Sequence, residues 1–203
     1  SGTAIINVNQ PPSLSLAGIN LICHNVPTGG IDMTITGGTA PFGIAWTGPS
    51  GFTAPTEDIS GLNEGYYAVT VTDANGCSAT ANITLTQPQP LNATVDRMNV
   101  TCFGADDGTI TISGATGGFG TWEYSIDGGT NWENSGTFTG LAPGTYVVMI
   151  RDQVNPTCIR TLNPGLQITG PAQLTGTVSK TDITCFGAND GTITITNPAG
   201  GYG

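Results

Sequence analysis

Apolar and polar residues alternate with a period of two along several short stretches of the chain. In "GTITIS", Ile110 and Ile112 point to one face while Thr109, Thr111 and Ser113 point to the other. In "GTYVVMIRD", Tyr146, Val148 and Ile150 share a face, as Tyr67, Val69 and Val71 do in "GYYAVTVTD". Gly, Pro, Asn and Asp punctuate these runs about every ten residues, the rhythm of short strands joined by tight turns. No window sustains a 3.6-residue period. For the middle of the chain the pattern predicts strands at 91–95, 98–102, 108–113, 121–126, 137–140, 144–151 and 158–168, an all-β sandwich.

The pattern also repeats. "NVTCFGADDGTITISGATGGFG" at 99–120 returns as "DITCFGANDGTITITNPAGGYG" at 182–203, and "GLNEGYYAVTVTDANGC" at 61–77 returns as "GLAPGTYVVMIRDQVNPTC" at 140–158. Cys23, Cys102 and Cys185 head three copies, spaced by 79 (102 − 23) and 83 (185 − 102) residues. Such a period exceeds that of helical and leucine-rich solenoids and suits a small domain with its own core. The expected fold is therefore tandem immunoglobulin-like β-sandwich repeats of about 80 residues, beads on a string. The expected division is an N-terminal segment at 1–12, repeats at 13–89 and 90–172, and the first part of a truncated third repeat at 173–203. In both full copies Leu-x-x-Gly-x-Tyr-x-Val (Leu62–Val69, Leu141–Val148) predicts a tyrosine corner, and Trp46, alternating with Ile44, predicts a buried strand aromatic.

Composition narrows the function. Only 9% of residues are charged, 14 acidic against 4 basic, for a net charge of −10. Such a chain repels phosphate backbones and anionic lipid, so neither nucleic acid nor membrane insertion of this segment is expected. One His and four Lys plus Arg leave few general bases or oxyanion clamps. His24 beside Cys23 is replaced by Phe103 and Phe186 in the other copies, which argues against a catalytic dyad. The chain is expected not to be an enzyme and to need no cofactor. "GADDG" and "GANDG" resemble the opening of a calcium loop without its spacing or terminal Glu, so Asp106, Asp107, Asp152 and Asp190 are the calcium candidates, against a plain turn reading. Trp132 lies in a polar insertion, "DGGTNWENSG", and with Asn131 and Glu133 is the candidate ligand contact, against a packing role.

Each full copy has one Cys near its start and one near its end, 54 (77 − 23) and 56 (158 − 102) residues apart. Pairing within repeats, Cys23–Cys77 and Cys102–Cys158, is favoured, with Cys185 free or bonded to a partner outside the chain. The rival is Cys77–Cys102 with Cys158–Cys185. A simple seven-strand order does not readily bring the favoured pairs together, so the connectivity stays open. Disulfides imply an oxidising compartment.

"VTCFGADDGTITI", the "GGFG" turn and "GLAPGTYVVMIRD" followed by Cys resemble the SprB repeat. The likeness is best over 90–172, looser over 13–89, where "HNVPTGG" replaces "FGADDG", and begins again at 173–203. That resemblance implies tandem arrays in large surface adhesins of gliding Bacteroidota, exported by type IX secretion and anchored at the outer membrane through regions outside this chain. The implied partners are surface polysaccharide or a solid surface, together with the gliding and secretion machinery. The implied role is an extracellular stalk for gliding motility and attachment, binding weakly at many points. The alternatives are carbohydrate-binding or spacer modules of a secreted polysaccharide-degrading enzyme, and a subunit of an extracellular fibre.

Overall fold

Residues 9–202 are described by a computed structural model; residues 1–8, most of the expected N-terminal segment, and Gly203 lie outside the described residues. The described chain is all-β and divides into two compact units. The first runs to Leu91 and also takes in 116–121 and 152–158; the second holds 92–115, 122–151 and the residues from Ile159 onward.

In the first unit, β1 (Pro12–Ile19), β2 (Gly29–Gly37) and β5 (Ile59–Leu62) form one sheet in the order β1-β2-β5. A second sheet has the order β4-β3-β6-β7, from β3 (Gly43–Thr47), β4 (Thr53–Ala54), β6 (Gly65–Thr72) and β7 (Ser78–Leu85). All pairings are antiparallel. Alternation decides what goes inside: Ile31 and Met33 of β2 and Tyr67, Val69 and Val71 of β6 join Leu21, Trp46, Ile59, Leu62 and Leu85 in one core. Fully burying each such side chain contributes about 1.5–3 kcal/mol. Trp46 is buried, and its indole N–H donates to Thr56 O at 2.9 Å, so the ring costs no unpaired donor. Tyr67 forms the corner expected of it, donating its hydroxyl to Asn63 O at 3.0 Å, as Tyr146 does to Ala142 O at 2.9 Å.

The second unit repeats the plan with one strand fewer. β8 (Asn92–Met98), β9 (Gly108–Thr116) and β11 (Thr137–Leu141) form one sheet in the order β11-β9-β8. β10 (Trp122–Ser125), β12 (Gly144–Asp152) and β13 (Ile159–Ile168) form the other, in the order β10-β12-β13. Val100, Ile110, Ile112, Phe138, Val148, Ile150, Leu166 and Ile168 are buried. A two-stranded hairpin of β14 (Ala172–Thr181) and β15 (Thr192–Gly201) follows.

One predicted strand is corrected. Residues 91–95 and 98–102 are not two strands: β8 spans Asn92–Met98, and the chain then turns. Val100 is buried without lying in a strand, tied by its N–H to Thr169 O at 3.1 Å. Asp107 draws the next residue back, accepting from the N–H and hydroxyl of Thr101 at 2.9 and 2.5 Å. Alternation through Met98, Val100 and Cys102 imitates a strand, but the acceptor six residues on bends it.

Candidate functional site

Each full repeat carries a start-type cysteine in the turn after its first strand and an end-type cysteine just before its last. In the first unit these turns lie at opposite ends of the sandwich. Cys23 follows the finish of β1, where Leu21 N donates to Thr86 O at 3.0 Å. Cys77 lies where β1 begins: Pro12 pairs with Gly37, and Thr39 beside it exchanges bonds with the turn at 73–77. Eight residues of β1 cover about 26 Å at ~3.3 Å each. A disulfide needs Cα atoms about 4.4–6.8 Å apart.

The favoured pairing within repeats is therefore corrected. Cys23 is bonded to Cys158, with Cα atoms 5.3 Å apart, and both lie in the first unit. Cys77 and Cys102 are free thiols, as is Cys185. Neither bond of the rival scheme is present. A start-type cysteine has paired with the end-type cysteine of the following repeat. Cys23 thus has no thiol to offer His24, whose ring Nδ1 lies 3.2 Å from Pro88 O.

Asp152 presents Cys158 to this bond. Buried at the end of β12, its carboxylate accepts from Phe119 N at 2.5 Å, Val154 N at 2.9 Å and Asn155 N at 2.8 Å, and its own N–H donates to Cys158 O at 3.0 Å. The "GGFG" turn and the cysteine turn are clamped together by one side chain. Asp73 does the same in the first repeat, accepting from the N–H groups of Thr39, Asn75 and Cys77 at 3.1, 3.0 and 2.8 Å. The sequence signal was the common register of the two acids 79 residues apart (152 − 73), Asp73 directly after β6 and Asp152 closing β12. Phe119 and Gly118 then line a cavity of about 430 Å³ with Leu21, Ile22 and Pro88.

The four calcium candidates do not converge. Asp107 and Asp190 each close a turn onto a threonine, Asp190 accepting from Thr184 N and hydroxyl at 3.1 and 2.6 Å. The Thr101 hydroxyl first, and its amide second, hold the Asp107 carboxyl below its ordinary value; Thr184 does so for Asp190. In the first repeat Thr28 takes this place, its hydroxyl accepting from Ile22 N at 3.0 Å, which explains how "HNVPTGG" can replace "FGADDG". Asp152 is occupied by backbone as described. No group of three or more His, Cys, Asp or Glu side chains suited to a metal occurs among the described residues.

The candidate ligand trio is only partly assembled. Asn131 and Glu133 line a groove of about 480 Å³ with Asp127, Thr137 and Phe138. Trp132 is not among its walls: its ring lies under the Arg151 guanidinium, 4.4 Å from the centroid, and its N–H donates to Gly129 O at 2.9 Å. Arg151 is held in turn by Glu123 at 2.6 Å. Asp127 organises the groove turn, accepting from Asn131 N, from the Ser125 hydroxyl and from the Asn131 side-chain amide; these bonds, the Asn131 backbone N–H foremost, hold its carboxyl at about 2.

The SprB repeat family matches residues 20–51, 94–131 and 177–203. Three stretches of this chain are thus similar to the SprB repeat. Each contains a start-type cysteine and the turn that follows it. No curated protein shows a significant match to the chain. Among solved structures, the three N-terminal domains of the bacteriophage RB49 Highly Immunogenic Outer Capsid protein (Hoc) are similar at 12% identity, covering 92% of this chain and 70% of that one, with a TM-score of 0.40. SprB repeats are typical of cell-surface proteins, and tandem β-sandwich repeats suit a structural region. Among the described residues no helix is long and apolar enough to cross a membrane.

Proposed function

We propose that this SprB array is a non-catalytic stalk of a secreted cell-surface adhesin, serving attachment and gliding through weak contacts multiplied by valency. The observation that supports this is the repeated use of the same residues to join one copy to the next. Asn20, Leu21 and Thr86, bonded to one another, line a cavity with Gly118 and Phe119, and Asn99, Val100 and Thr169 make the same bonds while Val100 O accepts from the Tyr202 hydroxyl. Polar side chains that could serve chemistry, Asp73, Asp107, Asp152 and Asp190, are used to close turns. Their value lies in repetition, since linking modest sites raises avidity by orders of magnitude without new contacts. Export by type IX secretion and anchorage at the outer membrane belong to this proposal on the strength of the family resemblance.

The groove with Asn131 and Glu133 is the contact we assign to surface polysaccharide, through hydrogen bonds to sugar hydroxyls. Trp132 is left out, because Arg151 already covers its ring. The 203-residue chain is coupled to beads at graded density and washed over polysaccharide-coated glass. Retention rising more steeply than coupling density, and weakened by Glu133→Gln, is the expected result. Retention absent at every density, or proportional to density, overturns the multivalent reading.

A further inference from the structure

The Cys23–Cys158 bond joins a start-type cysteine to the end-type cysteine of the next repeat, and it leaves two start-type thiols, Cys102 and Cys185, and one end-type thiol, Cys77. We propose that Cys102 is the half-site for a second bridge of this kind, made to the end-type cysteine of a further SprB repeat. Cys77 is the complementary half-site toward the start-type cysteine of another. An array built this way is covalently linked from each repeat to the next. The inference rests on the repeat assignment and is independent of what the array binds.

The surroundings of Cys102 reproduce those of Cys23. Val100 N donates to Thr169 O at 3.1 Å, and Thr169 N to the Asn99 side chain at 3.0 Å; Leu21, Thr86 and Asn20 make the same pair of bonds at 3.0 and 2.8 Å. The turn after each cysteine closes alike, Val26 N onto Cys23 O and Ala105 N onto Cys102 O. The aromatic turn of the following copy is already in place: Tyr202 donates its hydroxyl to Val100 O and shares a cavity of about 340 Å³ with Cys102. In the bridged case that turn carries Phe119, and Asp152 ties it to the loop bearing Cys158. At the other end, Cys77 O accepts from Asp73 N at 2.9 Å just as Cys158 O does from Asp152 N. Cys102 is exposed and in no disulfide, its sulfur touched only by the Thr101 hydroxyl at 3.8 Å among the described hydrogen bonds.

Closing the bridge converts two thiols into one disulfide and releases two protons and two electrons. A disulfide oxidant, either an oxidised dithiol protein or glutathione disulfide, accepts them and becomes two thiols. One cysteine thiolate attacks the oxidant, and the second displaces it from the mixed disulfide. The resulting loops interleave. A bridge from Cys102 to a later repeat starts inside the Cys23–Cys158 loop, so one backbone cut between residues 102 and 158 leaves all pieces attached.

The test lengthens the full chain at Gly203 with residues 121–169 of its own second repeat, which completes a third copy in register and adds one end-type cysteine. After oxidation in a glutathione redox buffer, free thiols are counted under denaturing conditions and bridges are mapped by peptide mass spectrometry. Two thiols, with Cys23–Cys158 and Cys102 bonded to the added cysteine, is the expected result. Four thiols with Cys23–Cys158 intact, or Cys102 bonded to Cys77, overturns the proposal. In the lengthened chain Cys102→Ser is expected to leave three thiols; the added cysteine bridging elsewhere overturns it. A second measurement avoids dependence on folding of the lengthened chain. In protein recovered from its own cells with thiols blocked at lysis, Cys102 is expected to accept a label only after reduction, and blocking without reduction overturns the proposal.

Discussion

The strands of the second repeat and the β14–β15 hairpin carry nearly the same words in different surroundings. Ile110 and Ile112 of "GTITIS" are 0% and 4% exposed; Ile193 and Ile195 of "GTITIT" are 79% and 67% exposed. The turns before them are alike, Thr101 on Asp107 at 2.9 and 2.5 Å and Thr184 on Asp190 at 3.1 and 2.6 Å. β9 lies between β11 and β8, whereas β15 pairs with β14 alone. Local chemistry thus forms the strand and its turn, while burial comes from residues far along the chain. A two-stranded hairpin is at best marginal in water by itself.

Substitution at matched positions probes that contrast most strongly. Ile110→Ala is expected to cost about 2–5 kcal/mol in urea unfolding, the range for truncating a buried isoleucine. Ile193→Ala is expected to stay within about 0.5 kcal/mol, as exposed changes do. Equal costs at the two positions would mean that the hairpin face is covered in solution. The second contrast sets a bridged start-type cysteine against an unbridged one. Replacing Cys23 and Cys158 together by Ser is expected to lower stability by roughly 2–4 kcal/mol, since the bond closes a loop with a sequence separation of 135. Cys102→Ser in the 203-residue chain is expected to leave the melting temperature where it was.

Much of this was readable from residues alone. Alternation in "YYAVTV" and "TYVVMI" identified β6 and β12, and the Leu-x-x-Gly-x-Tyr pattern gave the corner that Tyr67 and Tyr146 make. Trp46 was legible as a core aromatic because its neighbours alternate with it. Cysteine connectivity was not, because spacing gives separation along the chain but not which end of a sandwich a turn occupies. Asp152 was singled out for its charge, whereas its role follows from three backbone N–H groups that only the folded turn gathers. The polar neighbours of Trp132 give no sign of the Arg151 that covers its ring, which stands 19 residues on (151 − 132).

Where the two regions agree, equal local behaviour is the expectation. Gly117 and Gly200 open the aromatic turns at φ +83° and +95°, and a Cβ would fall 2.1 Å from Pro90 O and 2.0 Å from Gln173 O. Alanine at either site meets both a disfavoured conformation and backbone that cannot yield. Gly117→Ala is expected to destabilise by about 1–3 kcal/mol. Gly200→Ala is expected to open only the end of its hairpin, read as faster amide exchange near Gln173. Slower exchange there would contradict the shared turn geometry.

The gentlest probe is acid. Asp107 and Asp190 both have carboxyls held below their ordinary 3.8 by a threonine hydroxyl and then by its amide. A folded value below the unfolded one means that the bonds contribute fully above the ordinary carboxylate range and are lost as pH falls through the lowered value. Because the cause is local, the two carboxylates are expected to titrate close together by carbon NMR, although one precedes a buried strand and the other an exposed one. Thr101 and Thr184 amides should exchange faster over the same interval, relative to unstructured references. Asp127, held by a denser set of bonds, is expected to titrate lower than either, at about 2. Asp107 titrating far below Asp190 would show that burial of β9 reaches back into the turn, and the separation of local from distant contributions would then fail at the residue where the two copies look most alike.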